Sequence, residues 1–233
     1  MAPAASQASA DRGAAFAALK AALSARSLPA APVEERVATA VAELDALLEG
    51  GLPAGIVATL EGEAGRWSVA AGLVARTTRR SLVAILDDGA LYPPDLAEAG
   101  ARLDRVLIVP VRQALAVARA ADILLRSRIC RLVLMPAIAL RDAVWVRLAN
   151  LAQRSGVLLL VTTSRAGAAL RAAAGLRLVC ALERVSMRGS RGLWGTFAGF
   201  ELCIGVHKYR HAVTGRTVRL HVGRKEINDA TLH

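Results

Sequence analysis

The sequence predicts an α/β fold with a mostly parallel central sheet, and three observations carry that expectation. Short uninterrupted apolar runs (Ser81–Leu86, Val106–Val109, Leu132–Met135 and Val157–Val161) have the composition of strands buried on both faces. Segments with apolar residues at helical spacing lie between and around them: Trp67–Arg79, Pro93–Ala101, Arg112–Arg126 and Val144–Gln153. Such alternation builds parallel strands with covered faces. After Leu176 the pattern changes. Leu178–Val185, Gly199–Val206 and Val218–Val222 read as strands joined by Gly-rich turns, which would extend the sheet with antiparallel or mixed strands.

The 233 residues suffice for one large domain with short terminal additions. Apolar residues make up 55% of the chain and aromatics only 3%, so the core must be built from Val, Leu, Ile and Ala. A formal net charge of +11 fits a nucleic-acid surface. It fits a GC-rich coding bias equally well, because only Lys20, Lys208 and Lys225 are lysines among the basic residues. Cys130, Cys180 and Cys203 are scattered among apolar neighbours without metal-ligand spacing, as expected of buried free thiols in a reducing compartment. No basic segment followed by an apolar core marks a signal peptide, and no apolar run is long enough to span a membrane. A cytoplasmic location is expected.

At the N-terminus, residues 1–34 read as a flexible segment holding one amphipathic helix (about 11–28) and a linker punctuated by Pro29 and Pro32. Asp11 is the expected N-cap. Phe16, Leu19 and Leu23 form an apolar stripe that must be buried on its own domain, on a partner or on a neighbouring copy. The core domain is expected over 35–222, with 223–233 as a loose polar tail. Its start, Val37–Gly55, reads as a strand-like beginning, a short helix over Glu43–Leu48 and a turn at Gly50–Pro53.

The candidate functional centre is Val57–Ala70, where a β-prone run leads through a Gly-rich turn into a helix. That order is the order of a phosphate-binding loop, in which backbone N–H groups cradle phosphates, a Lys reaches the β/γ-phosphates and a Ser/Thr hydroxyl ligates Mg²⁺. Here Arg66 and Trp67 follow Gly65 in place of Lys and Thr, and taking Gly62 as the opening glycine leaves the loop two residues short. Gly62, Gly65, Arg66 and Ser68 are therefore the degenerate remains of a nucleotide loop, and no cofactor is expected. Arg66 is either a phosphate contact or a solvated loop residue.

Several segments, in their order along the chain, resemble the RecA core. Val37–Gly55 resembles its lead-in segment, with Leu44-Asp45 followed by Gly50-Gly51-Leu52-Pro53 and Gly55. Ile85–Pro93 resembles the strand end that bears the family's catalytic acid, with Asp88 at the matching place. Leu132–Leu140 is similar to the Walker B strand and its sequel, and Phe200–Arg210 with Arg216–Val222 resembles the late hairpin. The reading of a recombinase-like core requires Val57–Ala70 and Leu132–Met135 to lie side by side on adjacent strands of a single sheet. The resemblance implies a three-layer core and also shows what this chain lacks. Met135 stands at the Walker B Asp, Thr163 at a γ-phosphate-sensing Gln, and Asp88 is one methylene shorter than the usual Glu. Ala137–Asp142 and Ser164–Gly175 are short where RecA-type recombinases carry longer DNA-holding loops. A RecA-like core with these losses resembles the ImuA family of bacterial DNA-damage-response proteins. That resemblance implies a pseudo-ATPase with no metal and no catalysis, Asp88 being a relic. It would support error-prone translesion synthesis through contacts with RecA, ImuB and the error-prone polymerase. The alternatives are a DNA-binding accessory module, an ATP-dependent RecA-type enzyme with a divergent loop, and a cell-division inhibitor of the SulA type.

Individual residues carry plainer readings too. Trp67 and Trp145 fit apolar packing, and Asp87 and Asp88 fit turn formers at a strand end. Arg188, Arg191, Lys208, Arg210 and Arg216 belong to a basic C-terminal set, with Arg184, Arg219, Arg224 and Lys225. That set is either a solvated face or a surface for DNA or an acidic partner.

Overall fold

The computed structural model describes residues 36–188, 196–209 and 215–223, with Arg188 and Thr196 described by their backbone alone. The described chain starts with two short strands, β1 (Arg36–Val37) and β2 (Leu52–Pro53), paired antiparallel, with helix α1 (Ala42–Leu47) between them. Asp45 of α1 accepts hydrogen bonds from the Thr39 backbone N–H and hydroxyl, both at 2.7 Å, which ties the helix to the strand that precedes it. The pairing of Leu52-Pro53 as a strand corrects the expected turn.

The elements then alternate as their apolar patterns dictate: β3 (Val57–Glu61), α2 (Arg66–Thr78), β4 (Leu82–Asp87), α3 (Pro93–Glu98) and β5 (Val106–Pro110). Next come α4 (Ala114–Ser127), β6 (Cys130–Pro136), α5 (Asp142–Ser155), β7 (Leu158–Thr163) and α6 (Ala168–Ala173). Strands β8 (Leu176–Arg188), β9 (Thr196–Tyr209) and β10 (Thr217–Gly223) complete the series. One eight-stranded sheet has the order β10-β9-β8-β3-β7-β6-β4-β5. Every pair from β8 to β5 is parallel, while β8–β9 and β9–β10 are antiparallel.

Strand alternation divides the core into two layers. On one face Leu60, Ile85, Leu134 and Leu160 pack with Val69, Leu73 and Val74 of α2 and with Leu44 and Leu48. On the other, Val57, Leu86, Val133, Met135 and Leu159 pack with Val117 and Leu125 of α4, Trp145 and Leu148 of α5, and Leu170. The result is three layers, helix on sheet on helix.

Three expectations change. Val106–Val109, predicted as a buried strand, lies at the sheet edge, where Ile108 is 37% exposed. The apolar run there serves only one neighbour, β4. The Ala-rich stretch after Thr163 forms the short helix α6, in keeping with the high helix propensity of Ala. Strands β3 and β6 share the sheet but are not adjacent. β7 lies between them, with Val57 opposite Leu159 on one side and Leu132 opposite Leu158 on the other.

Candidate functional site

All five residues of β3 are buried, and the chain leaves its C-terminal end through Gly62 at φ +138°. A β-carbon on Gly62 would lie 2.2 Å from the carbonyl oxygen of Cys180, so β8 passes too close for any side chain. Gly65 caps α2 in a left-handed conformation, φ +79°, and a β-carbon there would lie 2.3 Å from Leu202 Cδ2 of β9. Gly62 is thus packed against β8 and Gly65 against β9.

Arg66 folds back on the loop. Its Nη1 donates to the carbonyl oxygen of Gly62 at 2.5 Å and of Glu63 at 3.0 Å. The side chain is half-buried and bound to the loop's own carbonyls. Trp67 packs against the core beneath α2, and Ser68 lies half-exposed in the helix's first turn.

Directly before the loop stands Glu61, which no sequence motif marks. Glu61 is 3% exposed. Arg177 of β8 donates to both of its oxygens, Nε to Oε1 at 2.8 Å and Nη2 to Oε2 at 3.1 Å. The Thr59 hydroxyl (2.9 Å) and the Ala166 backbone N–H (2.9 Å) donate as well. Burial pushes the carboxyl pKa up, but these hydrogen bonds and the Arg177 charge outweigh it and hold Glu61 below the usual glutamate range. The available signal was a lone carboxylate ending a β-prone run whose other polar residue is Thr59, which burial allows only with partners.

At the other strand ends the nucleotide-related positions serve the fold. Asp87 accepts from the backbone N–H groups of Gly89 (2.9 Å) and Leu91 (3.0 Å). Asp88 is exposed and accepts from Ala90 at 3.3 Å. Both shape the turn after β4. Met135 is fully buried in the layer under α5. Thr163 bonds locally to Arg165. The Thr162–Ser164 segment joins the strand ends, because the Gly62 N–H reaches the carbonyls of Thr163 and Ser164 and the Ala137 N–H reaches that of Thr162. Thus Gly62, Thr163 and Ala137 are brought together, while Asp88 follows β4, beyond β6.

Phe16, Leu19 and Leu23, together with Arg191 and Arg210, lie outside the described residues, as does the Arg188 side chain. Within the rest of the basic set, Lys208 donates to the carbonyls of Arg171 and Ala172 at the end of α6. Arg219 pairs with Glu183 at 2.8 Å and Arg184 with Glu201 at 3.4 Å. Arg216 is exposed. Among the described residues no group of three or more His, Cys, Asp and Glu side chains is placed to hold a metal, and no helix is long and apolar enough to cross a membrane.

No family model and no curated protein matches the chain. The crystal structure of the RadB recombinase is similar to it, with a TM-score of 0.58 at 16% sequence identity, covering 76% of this chain and 92% of that one. The likeness is one of fold: the mostly parallel sheet with its antiparallel extension matches a RecA-like fold.

Proposed function

We propose that this chain is a RecA-like protein that does not turn over nucleotide and acts through protein contacts in the bacterial DNA-damage response. In this reading it supports error-prone translesion synthesis and modulates RecA. The observation that carries the first half is the closed loop after β3. Arg66 is spent on the carbonyls of Gly62 and Glu63, and the two glycines are packed against Cys180 and Leu202. Phosphoryl transfer depends on positioning the phosphates and a metal, and this chain has neither the P-loop Lys and Thr nor the Walker B Asp. A lone Arg fork differs in shape and reach from the Lys ammonium it would replace.

The second half is supported by the sequence resemblance to the ImuA family and is compatible with a RecA-like fold. A core that has no hydrolysis cycle offers fixed surfaces in place of a nucleotide-driven switch. RecA, ImuB and the error-prone polymerase are the proposed partners. Affinity purification of the full chain from DNA-damaged cells tests this. Recovery of RecA or ImuB above an undamaged control supports the reading, and recovery of none of the three proteins overturns it. Deleting residues 1–28 should weaken that recovery while the core stays folded.

A further inference from the structure

The outer helical layer carries a charged groove that the loop after β3 does not use. Its helices cover the face of the sheet opposite α2. Between α4 and α5 lies a concavity of about 340 Å³, lined chiefly by Arg126, Val146, Arg147, Asn150, Leu151 and Arg154. The arginines follow from helical spacing: Arg147, Asn150 and Arg154 recur on one face of α5, and Arg126 faces them from α4.

The charges do not cancel. Asp122 of α4 accepts from Arg126 Nε at 2.7 Å and from Arg147 at 2.8 Å, so one carboxylate joins the two helices and neutralises one of two guanidinium groups. No carboxylate pairs with Arg154 among the described residues. Its backbone carbonyl accepts from Arg128 Nη2 at 2.9 Å, which brings a further cation to the same end. Two turns of helix, about 10 Å, separate Arg147 from Arg154. A chain carrying several carboxylates can span that distance.

Two aliphatic side chains, Val146 and Leu151, also line the groove. Val146 is 55% exposed, and Leu151 lies partly exposed beside it. On α4, Ile123 is 43% exposed one turn before Arg126. Arginines around a small aliphatic recess are typical of protein interfaces. Sequence-independent binding of single strands relies on aromatic platforms for the bases, and no aromatic side chain lines this groove.

We propose that the α4–α5 groove docks an acidic segment of a partner protein, with one aliphatic side chain seated against Val146 and Leu151 and carboxylates on Arg126, Arg147 and Arg154. This does not rest on the fate of the nucleotide loop.

Fluorescence anisotropy of the full chain tests it, using a labelled synthetic peptide of Glu, Ala and Leu with the leucines at helical spacing. Saturable binding is expected, weakened about tenfold by Arg154→Glu and by Val146→Asp. Arg76→Glu, an exposed position of α2 on the other side of the sheet, should leave it unchanged, and replacing the peptide's leucines by Ser should weaken it about tenfold. Circular dichroism verifies that each variant is folded. Should either groove variant fail to fold, hydrogen exchange on the unaltered protein decides, with slowed exchange in α4 and α5 expected on adding peptide. The proposal is overturned if the peptide does not bind, if Arg154→Glu binds as well as the parent, or if exchange in α4 and α5 is unaltered. It is equally overturned if oligothymidylate is the tighter ligand of the same arginines, which would make the groove a nucleic-acid surface.

Discussion

Leu202 of β9 presses its δ-methyl groups against the α-carbon of Gly65, leaving no room for a β-carbon, which would lie 2.3 Å from Cδ2. The left-handed backbone at φ +79° favours glycine here, and any side chain would also displace Leu202. In the structure Gly65 is a packing joint between the loop and the antiparallel part of the sheet.

Gly65→Ala should therefore destabilise the fold by about 2–4 kcal/mol, from left-handed strain and overpacking together. Removing the clash with Leu202→Ala should recover part of that loss, so the double variant is less destabilised than the sum of the single ones. Urea unfolding of the four proteins checks it. Simple additivity would mean that Leu202 does not set the constraint.

Arg177→Leu should cost about 3–5 kcal/mol, because it leaves the Glu61 carboxylate buried without its ion partner. The joint replacement Glu61→Leu with Arg177→Leu should be much milder, since no charge is then stranded. Thermal unfolding separates the two cases.

The same carboxylate predicts a pH dependence. Its folded pKa lies below the ordinary value of 4.5, so its contribution is complete above that value and is lost as pH falls through the lower folded pKa. The unfolding free energy of the parent should fall more steeply below about pH 4.5 than that of the Glu61→Gln variant. Parallel curves for the two proteins would remove Glu61 as a source of acid sensitivity.

Thiol reactivity should be split. Burial pushes the thiols of Cys130 and Cys180 up to about 12, so both should resist an aromatic disulfide reagent at pH 8 until denaturant is added. Cys203 is partly exposed and should react first. Rapid modification of Cys130 in the native protein would contradict the packing of β6 under α4 and α5.

The order of strands and helices was legible because fully buried parallel strands leave continuous apolar runs, as in Val157–Val161, and core-facing helices leave periodic ones, as in Val144–Gln153. Sheet order was less so. The separation of β3 from β6 by β7 is a matter of pairing, which apolar runs of similar composition do not encode. At the candidate site the sequence shows which residues flank the turn, Arg66 and Trp67 after Gly65. Closure of the loop could not be read from it, because Gly62 and Gly65 meet Cys180 and Leu202 only through contacts between residues more than a hundred positions apart. The Glu61–Arg177 pair escaped for the same reason, and the α4–α5 groove needed two separate helices brought together by the sheet.

Restoring residue types alone should not restore a nucleotide site. Arg66→Lys with Trp67→Thr should still leave Mg·ATP unbound, because the loop stays two residues short and Leu202 still packs on Gly65. Equilibrium dialysis with labelled nucleotide reads this out, and binding by that variant would show that side-chain chemistry alone had been lost.

Isothermal titration of the unaltered chain with Mg·ATP tests the closed loop most directly. No saturable binding is predicted up to about millimolar nucleotide. Binding at about micromolar affinity that is abolished by Arg66→Ala would contradict it.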